Sequence, residues 1–130
     1  MRKLAGLGFA LYFALSVSST ALSQTNDSGA SYAYDFEMIM RDYDKVLELD
    51  PTFSCAWFNR ANMLCVQKDF STALTNYTKA IEIDNDFAEA YFNRGLTYLF
   101  IGETEKGTAD LSRAGELGIY QAYNLLKRAK

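Results

Sequence analysis

The stretch AWFNRANML at residues 56–64 returns as AYFNRGLTY at residues 90–98, a spacing of 34 positions. Ala56, Phe58, Asn59 and Arg60 recur as Ala90, Phe92, Asn93 and Arg94, and Trp57 recurs as Tyr91. The echo continues downstream. TKAIEI (78–83) matches SRAGEL (112–117), with Ala80/Ala114 and Glu82/Glu116 identical, and DKVLEL (44–49) lies one more period upstream. A fixed interval of this size marks stacked supersecondary units that bury one another's apolar faces.

Within a unit the apolar spacing is helical. Trp57, Ala61 and Leu64 fall at i, i+4 and i+7. Phe70, Ala73, Tyr77, Ala80 and Ile81 follow the same rule on a second segment. Gln67-Lys68-Asp69 breaks the two, with Asp69 a suitable N-cap. Gly102 marks the same turn in the next unit, between Tyr91–Phe100 and Glu103–Leu117, and Gly118 is placed to end a helix. Asp86-Phe87-Ala88-Glu89 has capping-box spacing. Each unit therefore reads as helix, tight turn, helix.

Together these features resemble the tetratricopeptide-repeat (TPR) family, whose pattern is W-x2-L-G-x2-Y, then A-x3-F, then P. Trp57, Ala61, Leu64, Ala73, Tyr77 and Ala80 take those places in one unit. Tyr91, Gly95, Tyr98, Gly107, Leu111 and Ala114 take them in the next. Pro51 stands as the terminal proline of a preceding unit, with Ile39, Tyr43 and Val46 in its second helix. The resemblance spans roughly residues 34–121 and extends to exported, cell-envelope TPR proteins. The pattern's leucine is arginine in both full units, Arg60 and Arg94, and its proline is Asn85 and then Ile119. Gly107 replaces an alanine, a change that costs up to about 1 kcal/mol in a helix interior. Small residues at Ala61, Gly95, Ala73 and Ala80 let helix backbones approach, while Trp57, Tyr77 and Tyr98 fill the space between turns.

The expected architecture is all-α: a short TPR solenoid of helix hairpins. It comprises half a repeat, two full repeats and a C-terminal capping helix from about Tyr120 to Lys130. The half repeat has its second helix, about Tyr34–Leu49, but the place of its first is taken by glycine- and serine-bearing sequence. That leaves Phe36, Ile39 and Met40 expected on an uncovered upstream side. Another subunit covering that side, or a longer repeat scaffold, would satisfy it.

The TPR resemblance implies that the first helix of each unit lines a concave groove for a partner's peptide or helix. The groove residues it implies are Phe58, Asn59, Asn62, Cys65 and Val66, followed by Glu89, Phe92, Asn93, Leu96, Leu99 and Phe100. An asparagine amide both donates and accepts, so Asn59 and Asn93 suit a peptide backbone. Phe58 and Phe92 offer apolar contact area. Against this, duplication alone accounts for the recurrence, and both phenylalanines suit helix packing. The family's carboxylate-clamp subgroup uses lysines in this groove; none of the eleven groove residues is lysine, so a peptide C-terminus is not the expected ligand. Arg60 and Arg94 are expected to pair with acids on neighbouring helices.

The amino-terminal residues 1–23 read as a secretory signal peptide: Arg2 and Lys3, the 14-residue run Leu4–Val17, then small polar residues, with Ala21 and Ser23 fitting cleavage after Ser23. An uncleaved anchor and a buried helix are the alternatives. Residues 24–32 read as a flexible spacer and 33–130 as the TPR domain. Cleavage removes two bases and no acids, so the formal charge moves from −3 to 11 − 16 = −5. The expected location is exported: periplasmic, envelope-associated or secreted.

Composition narrows the chemistry. There are 13 basic and 16 acidic residues and no basic stripe, so nucleic acid is not an expected partner. The chain holds no histidine, which removes the commonest general base and metal ligand. Asp84-Asn85-Asp86 with Glu89 lacks a twelve-residue calcium loop and reads as a capped turn. No catalytic residues, metal, cofactor or small-molecule substrate are expected; the expected partner is another protein, with a second copy of the chain as a possibility. Cys55 and Cys65 on one helix would stand about 15 Å apart, too far to bridge, and read as two buried small hydrophobes. Asn26 and Asn76 begin glycosylation sequons.

Overall fold

The computed structural model describes residues 29–128, with side chains of the first helix described from Asp35 onward. Its helices are α1 Gly29–Leu49, α2 Ser54–Val66, α3 Phe70–Ile83, α4 Ala88–Phe100, α5 Thr104–Glu116 and α6 Tyr120–Arg128. No strand occurs among the described residues. The leader and the Asn26 sequon lie outside them. Helix α1 begins at Gly29, inside the stretch read as spacer, so Gly29–Tyr32 are helical.

Hairpins α2–α3 and α4–α5 are the two full repeats, and each helix packs on its chain neighbour. The turns inside and after them share one construction. Lys68, Gly102 and Gly118 take φ of 62°, 91° and 108°. The following amide reaches back to Leu64, Tyr98 or Ala114 at 2.9, 2.8 and 2.9 Å, closing the helix end. Asp69 caps α3 through its carboxylate, which accepts from the Thr72 amide at 3.2 Å. The capping box expected at Asp86 does not form. Phe87 takes the N-cap position of α4 without a side-chain bond, and the Asp84 carboxylate accepts from the Asp86 amide instead.

The core follows the small-and-large logic. In the first repeat Ala61 on α2 faces Ala73 on α3, with Tyr77, Leu64 and Cys65 packed around them. In the second, Gly95 on α4 faces Gly107 on α5. A methyl group at Gly107 would lie 2.9 Å from the Gly95 carbonyl and 2.7 Å from the Leu99 side chain. Gly107 is thus required by the close approach of α4 and α5, which revises its reading as a weak spot. Leu111 occupies the place of Tyr77, and both are fully buried. Ala80, Ile81 and Ala90 join the two repeats, with Trp57, Phe58, Phe87 and Tyr91 around them. Helix α6 closes on the second repeat through Ala122, Leu125 and Leu126.

Helix α1 lies against α2 with Leu47 buried and Met40 packed on the first-repeat cluster. Phe36, Ile39 and Met40 are half-buried, not open as expected. The open residues are Met38, Val46 and Leu49, the last 88% exposed. The helix turned those three outward because the 3.6-residue period puts Met40, Tyr43 and Leu47 together on the other side. No helix among the described residues is long and apolar enough to cross a membrane.

Candidate partner-binding groove

The repeated arginines tie together the helices that carry the candidate residues. Arg60 on α2 donates from Nε to Asp44 of α1 at 3.0 Å and from Nη1 to Asn76 of α3 at 2.9 Å. Arg94 on α4 donates from Nη1 to Thr78 of α3 at 3.0 Å. It also grips Asp110 of α5 with Nε and Nη2 at 2.7 and 2.8 Å. Each guanidinium therefore ties three consecutive helices, using the residues 16 positions before and after it. The acid stands upstream in the first repeat and downstream in the second. Burial works against the Arg94 charge, but the hydrogen bond and attraction of Asp110, with smaller help from Tyr98 and Tyr91, raise its pKa above the usual value. Arginine at the pattern's leucine position is therefore a structural staple.

A buried polar cluster lies across α2, α3 and α4. The Asn62 carbonyl oxygen accepts from the Tyr77 hydroxyl at 2.6 Å and from the Asn93 amide nitrogen at 2.8 Å. The Cys65 sulfur lies 3.7 Å from the Tyr77 hydroxyl and 3.6 Å from that of Thr97. Thr97 donates to the Asn93 carbonyl at 2.8 Å. Burial pushes the Cys65 thiol pKa up, with the Thr97 and Tyr77 hydrogen bonds opposing. The Asn93 side-chain oxygen is the one buried side-chain polar atom among the described residues with no hydrogen-bond partner. Tyr77 and Thr97 were not among the sequence candidates; their polar groups beside Asn62 on apolar helix faces were the available signal.

This divides the eleven candidates. Asn62, Cys65, Phe92 and Asn93 are buried. They bind the helices to one another. Asn59, Val66, Glu89 and Phe100 are exposed. Phe58, Leu96 and Leu99 are half-buried. The Phe58 ring lies 4.8 Å from that of Phe87 and 6.0 Å from that of Tyr77. The Phe100 ring meets that of Phe70 at 4.9 Å, tilted by 52°, so an aromatic pair joins the two repeats at the carboxyl end of α4.

The cysteines part company. Cys65 is buried, as expected; Cys55 is exposed, because it falls one position before the buried Ala56 on α2. Both are free thiols. The Asn76 sequon is closed in the folded protein: the side chain is buried and its nitrogen donates to the Thr72 carbonyl at 2.8 Å. Trp57 keeps its indole nitrogen 2.9 Å from the Pro51 carbonyl, pinning the turn that leads into α2.

Helical hairpins stacked at one interval, with small residues at each hairpin contact, define an α-helical repeat solenoid. Family models described as TPR repeat or tetratricopeptide repeat match residues 61–102, 42–75 and 88–117. Together they run from residue 42 to residue 117, more than half of the chain, and the chain belongs to the tetratricopeptide-repeat family. The fold is similar to that of the first TPR domain of Spaghetti, solved bound to an HSP90 peptide, at TM-score 0.67 and 23% identity. That match covers 75% of this chain and 79% of the other and shows the fold alone. YrrB, described as a TPR protein with an unusual peptide-binding site, matches at TM-score 0.57 and 26% identity, over 59% of this chain and 40% of that one. MamA matches at 0.65 and 26%, over 77% and 61%. No curated protein matches the sequence.

Proposed function

We propose that the chain is a non-catalytic module that docks a peptide or helix of a partner protein along the first helices of its repeats, α2 and α4. The observation that carries this reading is the division of the candidate face. A rigid floor, held by Asn62, Tyr77 and Asn93, underlies an accessible set of Asn59, Val66, Glu89, Leu96 and Phe100. Preorganised scaffolds of this kind lose little order on binding. An apolar residue beside an amide and a carboxylate offers both contact area and hydrogen bonding. The peptide-bound and peptide-binding TPR structures above lend the same direction.

The test uses the exposed residues only, because Asn93 is part of the scaffold. Asn59→Ala/Val66→Ala/Glu89→Ala should leave the helical circular-dichroism spectrum unchanged. It should also weaken recovery of a specific partner from envelope extract, and then weaken binding of that partner, once purified, in calorimetry. Equal recovery by parent and variant would count against the groove.

A second reading is favoured by one observation, the open stripe of α1. On it the chain is an assembly element whose uncovered helix receives another protein surface. We further propose export, with cleavage after Ser23. The charged start, the apolar run and the small residues that follow it support this. Intact-mass measurement of the accumulated chain decides: a mass retaining residues 1–23 refutes cleavage.

A further inference from the structure

We infer that the occupant of the uncovered α1 face is the α6 end of a second copy of this chain, so that copies stack head to tail. The inference rests on the assembly reading and names its partner.

In the repeat pattern α1 is a second helix and α6 a first helix. A hairpin consists of one of each, and the intimate pairs α2–α3 and α4–α5 show what such a contact buries. Among the described residues α1 has no first helix packed upstream of it, and α6 has only α5 as a close neighbour. Bringing the α6 of one copy against the α1 of the next makes the missing hairpin.

The two surfaces match in chemistry. On α1, Met38, Asp42, Val46 and Leu49 fall at helical spacing on the side turned away from Met40 and Leu47. On α6, Ala122, Leu125 and Leu126 face inward and the Tyr123 ring lies over Gly115 of α5, leaving Tyr120 and Lys127 on the open side. Tyr120 is 76% exposed. Both faces thus present large apolar side chains. Their charges are opposite. From Glu37 to Asp50 there are five carboxylates against two bases; Asp44 is held by Arg60 and Lys45 lies on the open stripe, so the remaining excess is four carboxylates against two bases. Helix α6 carries Lys127 and Arg128 and no acid. Like ends repel, which disfavours an α1-to-α1 or α6-to-α6 dimer and sets the polarity of the contact. A contact between two different surfaces of one chain need not close, so it extends with concentration.

Light scattering after size exclusion tests this on the purified chain. The expected result at low ionic strength is a mass that rises with concentration and does not stop at a dimer. Lys127→Glu/Arg128→Glu should lower the association constant about tenfold or more, and Asp42→Lys/Glu48→Lys should do the same, since each sets like charges face to face. Mixing the two variants should restore association, because each then meets a complementary end. A monomer at every concentration would overturn the assembly reading and this inference with it, and is the outcome if upstream residues of the same chain cover α1. Association that ignores the α6 substitutions, or a mixture that fails to recover, would overturn the head-to-tail arrangement alone.

Discussion

Asn59 and Asn93 occupy the same place in consecutive repeats, yet one is exposed and the other fully buried. Asn93 sits against the first helix of the preceding repeat and donates to Asn62 there. Asn59 has no such helix before it among the described residues. Arg60 and Arg94 differ because their partners do: the positions 16 before and after hold Asp44 and Asn76 for the first, Thr78 and Asp110 for the second. Both bridge three helices, but the acid of Arg94 is Asp110, 10% exposed, while that of Arg60 is Asp44, 52% exposed on the outer helix. Position in the array and the identity of the partner together decide whether a side chain is structural. A residue that repeats in sequence carries different energetics where no first helix precedes it among the described residues.

The sharpest way to break this comparison is to truncate both arginines. Arg94→Met leaves Asp110 buried without its partner and should cost about 3 kcal/mol or more in urea unfolding. Adding Asp110→Leu should return much of that loss. Arg60→Met leaves Asp44 free to take water but takes the donor from the buried Asn76 oxygen, and should cost about 1–2 kcal/mol, less than the Arg94 change. Equal losses at the two sites would mean that burial of the partner acid does not set the energetics.

The small-residue contact gives the next largest contrast. Ala61 and Ala73 meet in the first hairpin, Gly95 and Gly107 in the second. Gly107→Ala adds helix propensity worth about 1 kcal/mol but drives a methyl into the Gly95 carbonyl. Overpacking of that kind costs about 1–3 kcal/mol, so the net effect should be a lowered midpoint. A raised midpoint would show that α4 and α5 separate easily.

The hairpin period, the turns at Lys68, Gly102 and Gly118, and the pairing of both arginines with neighbouring acids were legible in the sequence. Each depends on local spacing or on one residue type. The asparagine cluster was not legible, because its bonds join residues 15 and 31 positions apart. Only the stacking angle of the helices decides whether such groups face each other or water. The same holds for Gly107, where propensity counts a single helix and misses the carbonyl of its neighbour. Capping at Asp86 failed for a local reason: the Asp84 carboxylate took its amide first.

Turn chemistry supplies a smaller contrast. Lys68 holds φ of 62° where the second repeat has Gly102 at 91°. A left-handed conformation costs a side-chain-bearing residue about 1 kcal/mol. Lys68→Gly should therefore stabilise slightly, offset in part by the greater freedom of glycine in the unfolded chain. Gly102→Ala, with open space around it but the same strained φ, should destabilise by a similar amount. Opposite signs at these two sites are the expected reading of a melting experiment.

The smallest effects concern the thiols and pH. Cys55 should react with a disulfide reagent at the rate of an open thiol, and Cys65 only as the core opens, so one thiol titrates rapidly and the second in denaturant. Cys65 has its pKa raised by burial, so the folded state favours the protonated thiol. Its contribution is present below the ordinary thiol range and declines as pH rises through the raised value. Asp50 runs the other way. Its carboxylate accepts from the Thr52 hydroxyl at 2.6 Å and amide at 3.0 Å, which lowers its pKa. That support is present above the ordinary carboxylate range and lost as pH falls. Asp50→Asn should flatten the acid limb of the stability profile only slightly, and Cys65→Ser should flatten the alkaline limb. An unchanged alkaline limb would show that burial does not hold the Cys65 thiol protonated.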